Sequence, residues 1–305
     1  MKAQLTGLIA AVVTPMHADG SLNLELVPDL VNYLLSSGIS GIFVCGSTGE
    51  GLSLTGKERR IVAESFIKAA NNRLPVIVQV GHNSIRESME LSAHAEEAGA
   101  DAIASTPPSY FKPERLEILV QSMYKIAGSA PSLPFYYYHI PSLTGVRFDM
   151  ADFLKAAAGA VPNLAGIKFS EPTLHEFQSC LDWRDGEFDM LWGCDGMLLG
   201  ALAVGARGAI GSTFNVLASL YLQMIDSFSR QDLESARRYQ SISVEFVRIL
   251  SLYASPLASL KAVMKLIGLD CGDVRLPLQP FPLSATGNLS KALMSAGLME
   301  WLGSA

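Results

Sequence analysis

The sequence has little charge. Only 17% of its 305 residues are Asp, Glu, Lys or Arg, and the formal net charge is −6. Because no run of lysine and arginine occurs, the sequence predicts neither a nucleic-acid partner nor an anionic membrane partner. No uninterrupted apolar stretch approaches about 18 residues, so no membrane-spanning helix is expected. An anionic ligand would have to be held by local N–H and hydroxyl donors, against the overall field.

Cysteine is also scarce, and the four that occur are scattered: Cys45, Cys180, Cys194 and Cys271. No C-x-x-C pair occurs and no histidine stands at metal-ligand spacing, so neither a metal site nor a disulfide framework is predicted. Free thiols are typical of a reducing compartment. The apolar run after Gly7 is too short and too interrupted for a signal peptide, and we expect a cytoplasmic protein.

Hydrophobic residues make up 49% of the chain, which is enough for a large core and indicates one α/β unit. Eight short apolar runs are typical of buried strands. They are Leu8–Thr14, Gly41–Cys45, Val76–Val80, Ala102–Ser105, Pro134–His139, Gly166–Phe169, Met190–Gly193 and Ala209–Gly211. The dinucleotide fingerprint G-x-G-x-x-G does not follow the first run, which argues against an open doubly wound sheet.

Amphipathic stretches alternate with these runs, as βα repeats require. Capping-box patterns begin at Thr55, Ser84 and Thr173, each with a glutamate three residues later. Eight βα units predict a (β/α)8 TIM barrel as the catalytic domain, residues 1–228, and residues 229–305 are expected to form a C-terminal helical extension. Its predicted helices are Asp232–Leu252, Pro256–Gly268 and Gly287–Leu302. Barrel chemistry is expected where strands end and βα loops begin.

Lys168 lies within a predicted core strand. Because side chains alternate along a strand, Lys168 shares one face with Gly166 and Ser170, while Ile167 and Phe169 face the other way. An ammonium placed there loses solvation, which favours the neutral amine. A neutral lysine is a nucleophile that forms Schiff bases with carbonyl compounds. The alternative is a structural lysine that pairs with a carboxylate or extends to the strand end.

The second strand ends in the sequence Gly46-Ser-Thr-Gly-Glu-Gly51. Its glycines permit positive φ, and its N–H groups can converge on a small anion together with the hydroxyls of Ser47 and Thr48. The alternative is an ordinary glycine-rich turn before a capped helix. Because barrel sites form at this end of the strands, we favour a site for a carboxylate.

The fifth strand contains three consecutive tyrosines and a histidine, Tyr136 to His139. If Tyr138 faces the barrel interior, it neighbours the sixth strand and approaches Lys168, where a phenol could shuttle protons. Alternatively, these aromatic residues only fill the core, since they favour strands. His139 faces away from Tyr138 and is expected to be satisfied between strand and helix, outside the chemistry.

Three further loops carry polar or rigid residues at the expected catalytic end. Tyr110 stands between prolines and suits an active-site wall or an oligomer contact. Asp195, next to Gly196, could bind substrate hydroxyls or cap the next helix. Gly211 and Ser212 offer close backbone approach and a hydroxyl donor after the eighth strand. None of these loops is specific by itself.

Together, these motifs resemble the N-acetylneuraminate lyase and dihydrodipicolinate synthase family of pyruvate-dependent class I aldolases. The motifs are Gly46-Ser-Thr-Gly-Glu50, Tyr138-x-Ile-Pro141, Gly166-Ile-Lys-Phe169 and Gly211-Ser212. The resemblance, which covers almost the whole chain, implies that Lys168 forms the Schiff base and that Tyr138 shuttles protons. It also implies that Ser47 and Thr48 bind the pyruvyl carboxylate. Ser47 would in addition link Tyr138 to a Tyr110 from a neighbouring subunit.

The resemblance implies further substrate-binding positions around the same barrel mouth. They are Ser170, Gly193, Asp195, Gly196, Gly211 and Ser212. The lysine supplies the electron sink, so neither a metal nor an organic cofactor is expected. The implied ligands are a sugar acid and pyruvate, and the implied assembly is a homotetramer.

Three positions bear on the branch of the family. The synthase branch has an arginine where this chain has Leu143, and leucine cannot hold a carboxylate through two hydrogen bonds. The lyase branch, which cleaves N-acetylneuraminate to pyruvate and N-acetylmannosamine, is therefore favoured over a synthase-like condensation. Lyases usually have glutamate at Gly196 and tyrosine at Phe214, so two groups for sugar hydroxyls are missing. This departure favours one alternative, an aldolase or dehydratase for a 2-keto-3-deoxy sugar acid. A separate alternative is a non-enzymatic binding barrel, against which the complete set of Lys168, Tyr138, Ser47 and Thr48 argues.

Overall fold

The computed structural model describes residues 5–253 and 255–303. Eight parallel strands close into a barrel in chain order. They are β1 (Gly7–Ala11), β2 (Gly41–Val44), β3 (Val76–Gln79), β4 (Ala102–Ser105), β5 (Phe135–His139), β6 (Leu164–Phe169), β7 (Asp189–Trp192) and β8 (Gly208–Gly211). The predicted TIM barrel is confirmed, and every predicted strand is present within three residues at each end.

Helices surround the barrel and continue into the C-terminal segment. They are α1 (Val27–Ser36), α2 (Gly56–Ala70), α3 (Ile85–Glu97), α4 (Leu116–Ala127), α5 (Pro141–Thr144), α6 (Met150–Ala157), α7 (Leu174–Asp182), α8 (Leu198–Ala203), α9 (Phe214–Ser229), α10 (Leu233–Leu250), α11 (Pro256–Leu266) and α12 (Thr286–Ser295). The single turn α5 was not predicted, because four residues carry no helical periodicity.

The predicted helix caps differ in outcome. Thr55 forms the complete capping box. At Ser84 the box is half formed, because the Ser84 N–H donates to Nδ1 of His82 instead of to the glutamate. The box predicted at Thr173 is wrong, because the Thr173 hydroxyl donates to the Glu176 carboxylate and accepts no backbone N–H. Caps therefore depend on competing partners that the local pattern does not contain.

Side-chain alternation divides the strand residues between two packed regions. Ile167 and Phe169 share one face of β6, as predicted, and that face packs outward into the core between sheet and helices. The opposite faces form the barrel interior, whose apolar residues are Ile9, Ala11, Phe43, Ile77, Ala102, Ala104, Tyr136, Tyr138, Leu191 and Ile210. Toward the amino-terminal end, Tyr136 donates a hydrogen bond of 2.9 Å to Asp189, whose pKa is raised by burial. Because this buried contact fills the amino-terminal end of the barrel, the site is expected at the carboxyl-terminal end of the strands.

The C-terminal helices pack onto the barrel and share its outer core. Phe246 of α10, Leu260 of α11 and Leu289 of α12 belong to the same cluster as the barrel helices. The helix α12 ends at Ser295, short of the predicted Leu302, and a left-handed residue, Gly297 with φ +65°, lies just beyond it. Among the described residues, no helix is long and apolar enough to cross a membrane.

Candidate active site

Lys168 projects from β6 into the barrel interior and is 3% exposed. Its Nζ lies 3.9 Å from the centroid of the Phe43 ring and 4.0 Å from that of Tyr138. Within residues 5–253 and 255–303, Nζ has no carboxylate partner at ion-pair distance. A structural lysine that pairs with a carboxylate is therefore not what the structure contains. The amine is buried between the rings of Phe43 and Tyr138.

Tyr138 faces the barrel interior, which meets the condition on which its approach to Lys168 was expected, and the two residues are register partners in β5 and β6. Its hydroxyl lies 3.3 Å from Oγ of Ser47 in the loop after β2. Tyr137 points outward and packs on Phe153, with ring centroids 4.5 Å apart. Of the three consecutive tyrosines, Tyr138 therefore links Lys168 to the loop after β2, where a carboxylate site is predicted.

The loop after β2 contains glycines for a reason other than the predicted one. The residues with positive φ are Cys45 at +58° and Glu50 at +53°, and none of the loop glycines has positive φ. The glycines permit close packing instead. A Cβ on Gly51 would lie 1.9 Å from the carbonyl oxygen of Cys45, and one on Gly49 would lie 3.0 Å from that of Val12. The prediction of left-handed glycines was wrong, but the tight turn is present.

This turn presents Ser47 and Thr48 at the mouth of the barrel. The Glu50 N–H donates to the Ser47 carbonyl at 3.1 Å, and the Thr14 hydroxyl donates to the Gly49 carbonyl at 2.6 Å. Neither the Ser47 nor the Thr48 N–H donates to a backbone carbonyl in the described part of the chain. Two hydroxyls and two amides are therefore available to a small anion.

Asp195 follows β7 and is engaged by the loop that follows β8. Its Oδ2 accepts the Thr213 N–H at 2.8 Å and the Thr213 hydroxyl at 2.7 Å, with the Ser212 hydroxyl at 3.4 Å. Burial raises the pKa of the Asp195 carboxyl group. The carboxylate thus ties two βα loops together and does not cap α8. Asp195 also lines the cavity at the mouth, and its binding of substrate hydroxyls stays a prediction. A Cβ on Gly211 would lie 2.5 Å from Oδ1 of Asp195, so a side chain there would displace the Asp195 carboxylate.

The remaining predicted positions border the same mouth. A Cβ on Gly193 would lie 2.0 Å from Oγ of Ser170, so these two residues are in direct contact. Around Gly196, in contrast, no atom lies within 4 Å of an added Cβ. Phe214 is buried and packs on Tyr221 with ring centroids 4.7 Å apart. Gly196 therefore leaves open space at the mouth, while Phe214 belongs to the core.

A cavity of about 670 Å³ occupies this mouth. Hydroxyl-bearing residues of its lining include Ser47, Thr48, Ser212 and Thr213, and Asp195 and Gly196 line it as well. Aliphatic side chains from α10 and α11 complete the lining with Val244, Val247, Leu250, Leu257 and Leu260. Among the described residues, no group of three or more His, Cys, Asp or Glu side chains could hold a metal ion.

Tyr110 is the one predicted site residue that the chain does not bring to the others. Its side chain is 78% exposed and packs edge-on against Phe111, with ring centroids 4.9 Å apart. The Asn83 side-chain oxygen accepts the Tyr110 N–H at 3.1 Å and so holds the loop. Within one chain, Tyr110 is a surface residue.

Two features of the site were missed from the sequence. Phe43 forms one wall of the Lys168 pocket, and period-two alternation along β2 could have placed its ring inside the barrel. An ion pair between Glu50 and Lys261 anchors the loop after β2, which carries Ser47 and Thr48. Its residues are 211 positions apart, and no local pattern indicates such a contact.

A closed barrel with a lysine buried inside it is the arrangement expected of a Schiff-base-forming barrel enzyme. A comparison with known proteins identifies the family. The chain belongs to the dihydrodipicolinate synthetase family, which matches residues 4–296. It is 40% identical to the N-acetylneuraminate lyase of Rattus norvegicus over 99% of this chain and 96% of that one. It is 42% identical to the N-acetylneuraminate lyase of Gallus gallus over 91% of each chain. The solved structure of Proteus mirabilis N-acetylneuraminate lyase is 37% identical with a TM-score of 0.94, over 97% of this chain and 100% of that one.

Proposed function

We propose that this protein is a Schiff-base aldolase that cleaves N-acetylneuraminate to pyruvate and N-acetylmannosamine. The observation that carries the proposal is Lys168, buried between Phe43 and Tyr138 without a carboxylate partner among the described residues. Similarity to N-acetylneuraminate lyases over nearly the whole chain supports this substrate.

The reaction follows from the positions of these groups. Neutral Lys168 attacks the C2 ketone of the open-chain sugar acid, and water leaves as the iminium forms. The C3–C4 bond then breaks, and its electron pair neutralises the iminium to give an enamine while the C4 hydroxyl loses its proton. Protonation at C3 and hydrolysis release pyruvate. Tyr138 moves the protons, and Ser47 and Thr48 hold the carboxylate.

Borohydride trapping tests the proposal directly. With pyruvate present, reduction is expected to attach the pyruvyl group covalently to Lys168, and mass spectrometry of peptides locates it. The Lys168→Ala variant is expected to remain folded and to lose both the adduct and pyruvate release from N-acetylneuraminate. Lys125→Ala, which removes an exposed lysine of α4, is the matched control. An unmodified Lys168 would overturn the proposal.

A second substrate class is favoured by the open space at Gly196. Because Gly196 has no side chain, the polyhydroxyl tail of N-acetylneuraminate finds no charged hydrogen-bond acceptor at this position. A 2-keto-3-deoxy sugar acid with a shorter tail has fewer hydroxyls that need such an acceptor. The ratio of kcat/KM for N-acetylneuraminate to that for shorter keto-deoxy acids decides between them. A synthase-like condensation is less favoured because Leu143 offers no hydrogen bond to an amino-acid carboxylate. Measurable pyruvate release would exclude a purely binding barrel.

We also propose a cytoplasmic homotetramer in which Tyr110 completes the site of a neighbouring subunit. Tyr110 is exposed in its own chain and packs edge-on against Phe111, which is also exposed, and this supports a contact outside that chain. Ser47 stands between the Tyr138 hydroxyl and the barrel mouth. A second phenol placed there would extend the proton path to solvent.

A further inference from the structure

We infer that Glu50 and Lys261 are positioning residues for the site that binds the pyruvyl carboxylate, an inference that rests on the proposed function. Lys261 Nζ on α11 donates to Oε1 of Glu50 at 2.8 Å, and the two side chains are 1% and 0% exposed. Glu50 belongs to the turn that carries Ser47 and Thr48. The ion pair therefore connects the helical extension to the catalytic mouth of the barrel.

Both charged groups have further partners that fix their positions. Lys261 Nζ also donates to the Asp273 carbonyl at 2.8 Å. The second oxygen of Glu50, Oε2, accepts the Arg275 N–H at 2.7 Å. Buried charges are tolerated when they are paired and hydrogen-bonded, and rotation of either side chain would leave both unpaired. The Glu50 carboxylate is thus held in one orientation.

That orientation controls the backbone next to the carboxylate site. Glu50 has φ +53°, in the left-handed region that is unfavourable for a residue with a Cβ. Its N–H nevertheless closes the turn by donating to the Ser47 carbonyl at 3.1 Å. A strained conformation persists only where its surroundings hold it, and the anchored carboxylate does so here. Without the anchor, the turn relaxes and the donors of Ser47 and Thr48 move out of line.

Selectivity for a carboxylate is the property that separates this role from a structural one. The trapping experiment is run with pyruvate and with pyruvamide, its neutral carboxamide, and the concentration that gives half-maximal adduct on Lys168 is measured for each. In the natural protein, pyruvate is expected to be favoured about tenfold or more, as charge-assisted hydrogen bonds imply. In the double variant Glu50→Gln/Lys261→Met, which leaves no unpaired buried charge, the ratio is expected to fall toward one, because pyruvate loses the charge-assisted hydrogen bonds that pyruvamide does not make.

Lys265→Met is the control, because Lys265 lies one turn further along α11 and pairs with Asp270 at 2.7 Å on the surface. This variant is expected to keep the natural ratio. Unfolding temperatures are measured for each protein, and Glu50→Gln/Lys261→Gln, which likewise leaves no buried charge, is used if the first double variant does not fold. Absence of any adduct in the natural protein would defeat the proposed function. An adduct with an unchanged ratio in the variants, or equal losses for both ligands, would overturn the inference.

Discussion

Tyr138 and Lys168 stand side by side in β5 and β6, with the lysine Nζ 4.0 Å from the centroid of the tyrosine ring. The tyrosine hydroxyl extends past the amine and lies 3.3 Å from Oγ of Ser47. The ring and the hydroxyl therefore have separable tasks. The ring forms a wall of the lysine pocket, and the hydroxyl belongs to a path for protons.

Tyr138→Phe is expected to remove the hydroxyl that transfers protons and to keep the ring that packs on Lys168. Because general acid–base catalysis contributes about 10²–10⁴-fold, kcat is expected to fall by that order. Adduct formation with pyruvate and borohydride is expected to slow but still to occur at Lys168. Steady-state kinetics and trapping on the same preparations check both statements.

The control for this substitution is the adjacent residue on the other face of the strand. Tyr137→Phe removes a hydroxyl from the outer core, where the ring packs on Phe153, and is expected to leave kcat unchanged. Equal losses in the two variants would mean that strand packing, and not proton transfer, determines the rate.

The barrel was predictable because its signals are local. Each strand is a short apolar run between turn residues, and alternation placed Lys168 and Ile167 on opposite faces of β6. Tyr138 followed from the same rule once β5 and β6 were taken as neighbours. In a parallel barrel in which every strand pairs with the next, local patterns determine most of the site.

The features that could not be predicted depend on distant partners. In the loop after β2, positive φ occurs at Cys45 and Glu50 and not at the glycines. The glycines are needed instead where the backbone packs closely against carbonyl oxygens, and no turn rule predicts those contacts. Thr213, which lies beyond the next strand, engages one oxygen of the Asp195 carboxylate, and no local pattern indicates that contact. The partner of Glu50 is Lys261, in the last quarter of the chain. Long-range contacts are specified by the fold as a whole.

Gly196→Glu is expected to improve the use of N-acetylneuraminate. The position faces open space, so a side chain can enter without displacing another atom. A carboxylate that accepts a sugar hydroxyl is expected to raise kcat/KM about tenfold or more, while shorter keto-deoxy acids gain little. Gly196→Ala, which adds a Cβ but no acceptor, is the control. Identical kinetics for the two variants would show that the substrate tail does not reach this position.

Complementation between two inactive variants tests the role of Tyr110 in a neighbouring subunit. Tyr110→Phe and Lys168→Ala are each expected to lose most activity when prepared alone. In a refolded equal mixture, a site that keeps Lys168 can receive Tyr110 from the other variant. Random pairing is expected to restore about a quarter of the natural sites. A mixture no more active than its components would place Tyr110 outside the shared site.

His139 lies on the outer face of β5, where its ring packs on that of Phe169 with centroids 5.2 Å apart. The prediction that it is satisfied there was incomplete, because Nδ1 is buried without a hydrogen-bond partner among the described residues. Burial, and then the nearby charge of Arg147, lower the pKa of His139 from 6.5 to about 4. The folded protein therefore keeps this imidazole neutral in mild acid.

This lowered pKa makes stability depend on pH between about 6.5 and 4. In that window the unfolded chain binds a proton that the folded chain does not, so stability falls as pH falls, by up to about 3 kcal/mol. His139→Leu is expected to flatten the dependence of urea unfolding on pH and to leave kcat/KM at neutral pH unchanged. His175→Leu removes an exposed histidine of α7 and is expected to keep the natural slope. A slope in His139→Leu equal to that of the natural protein would assign the acid sensitivity to other groups.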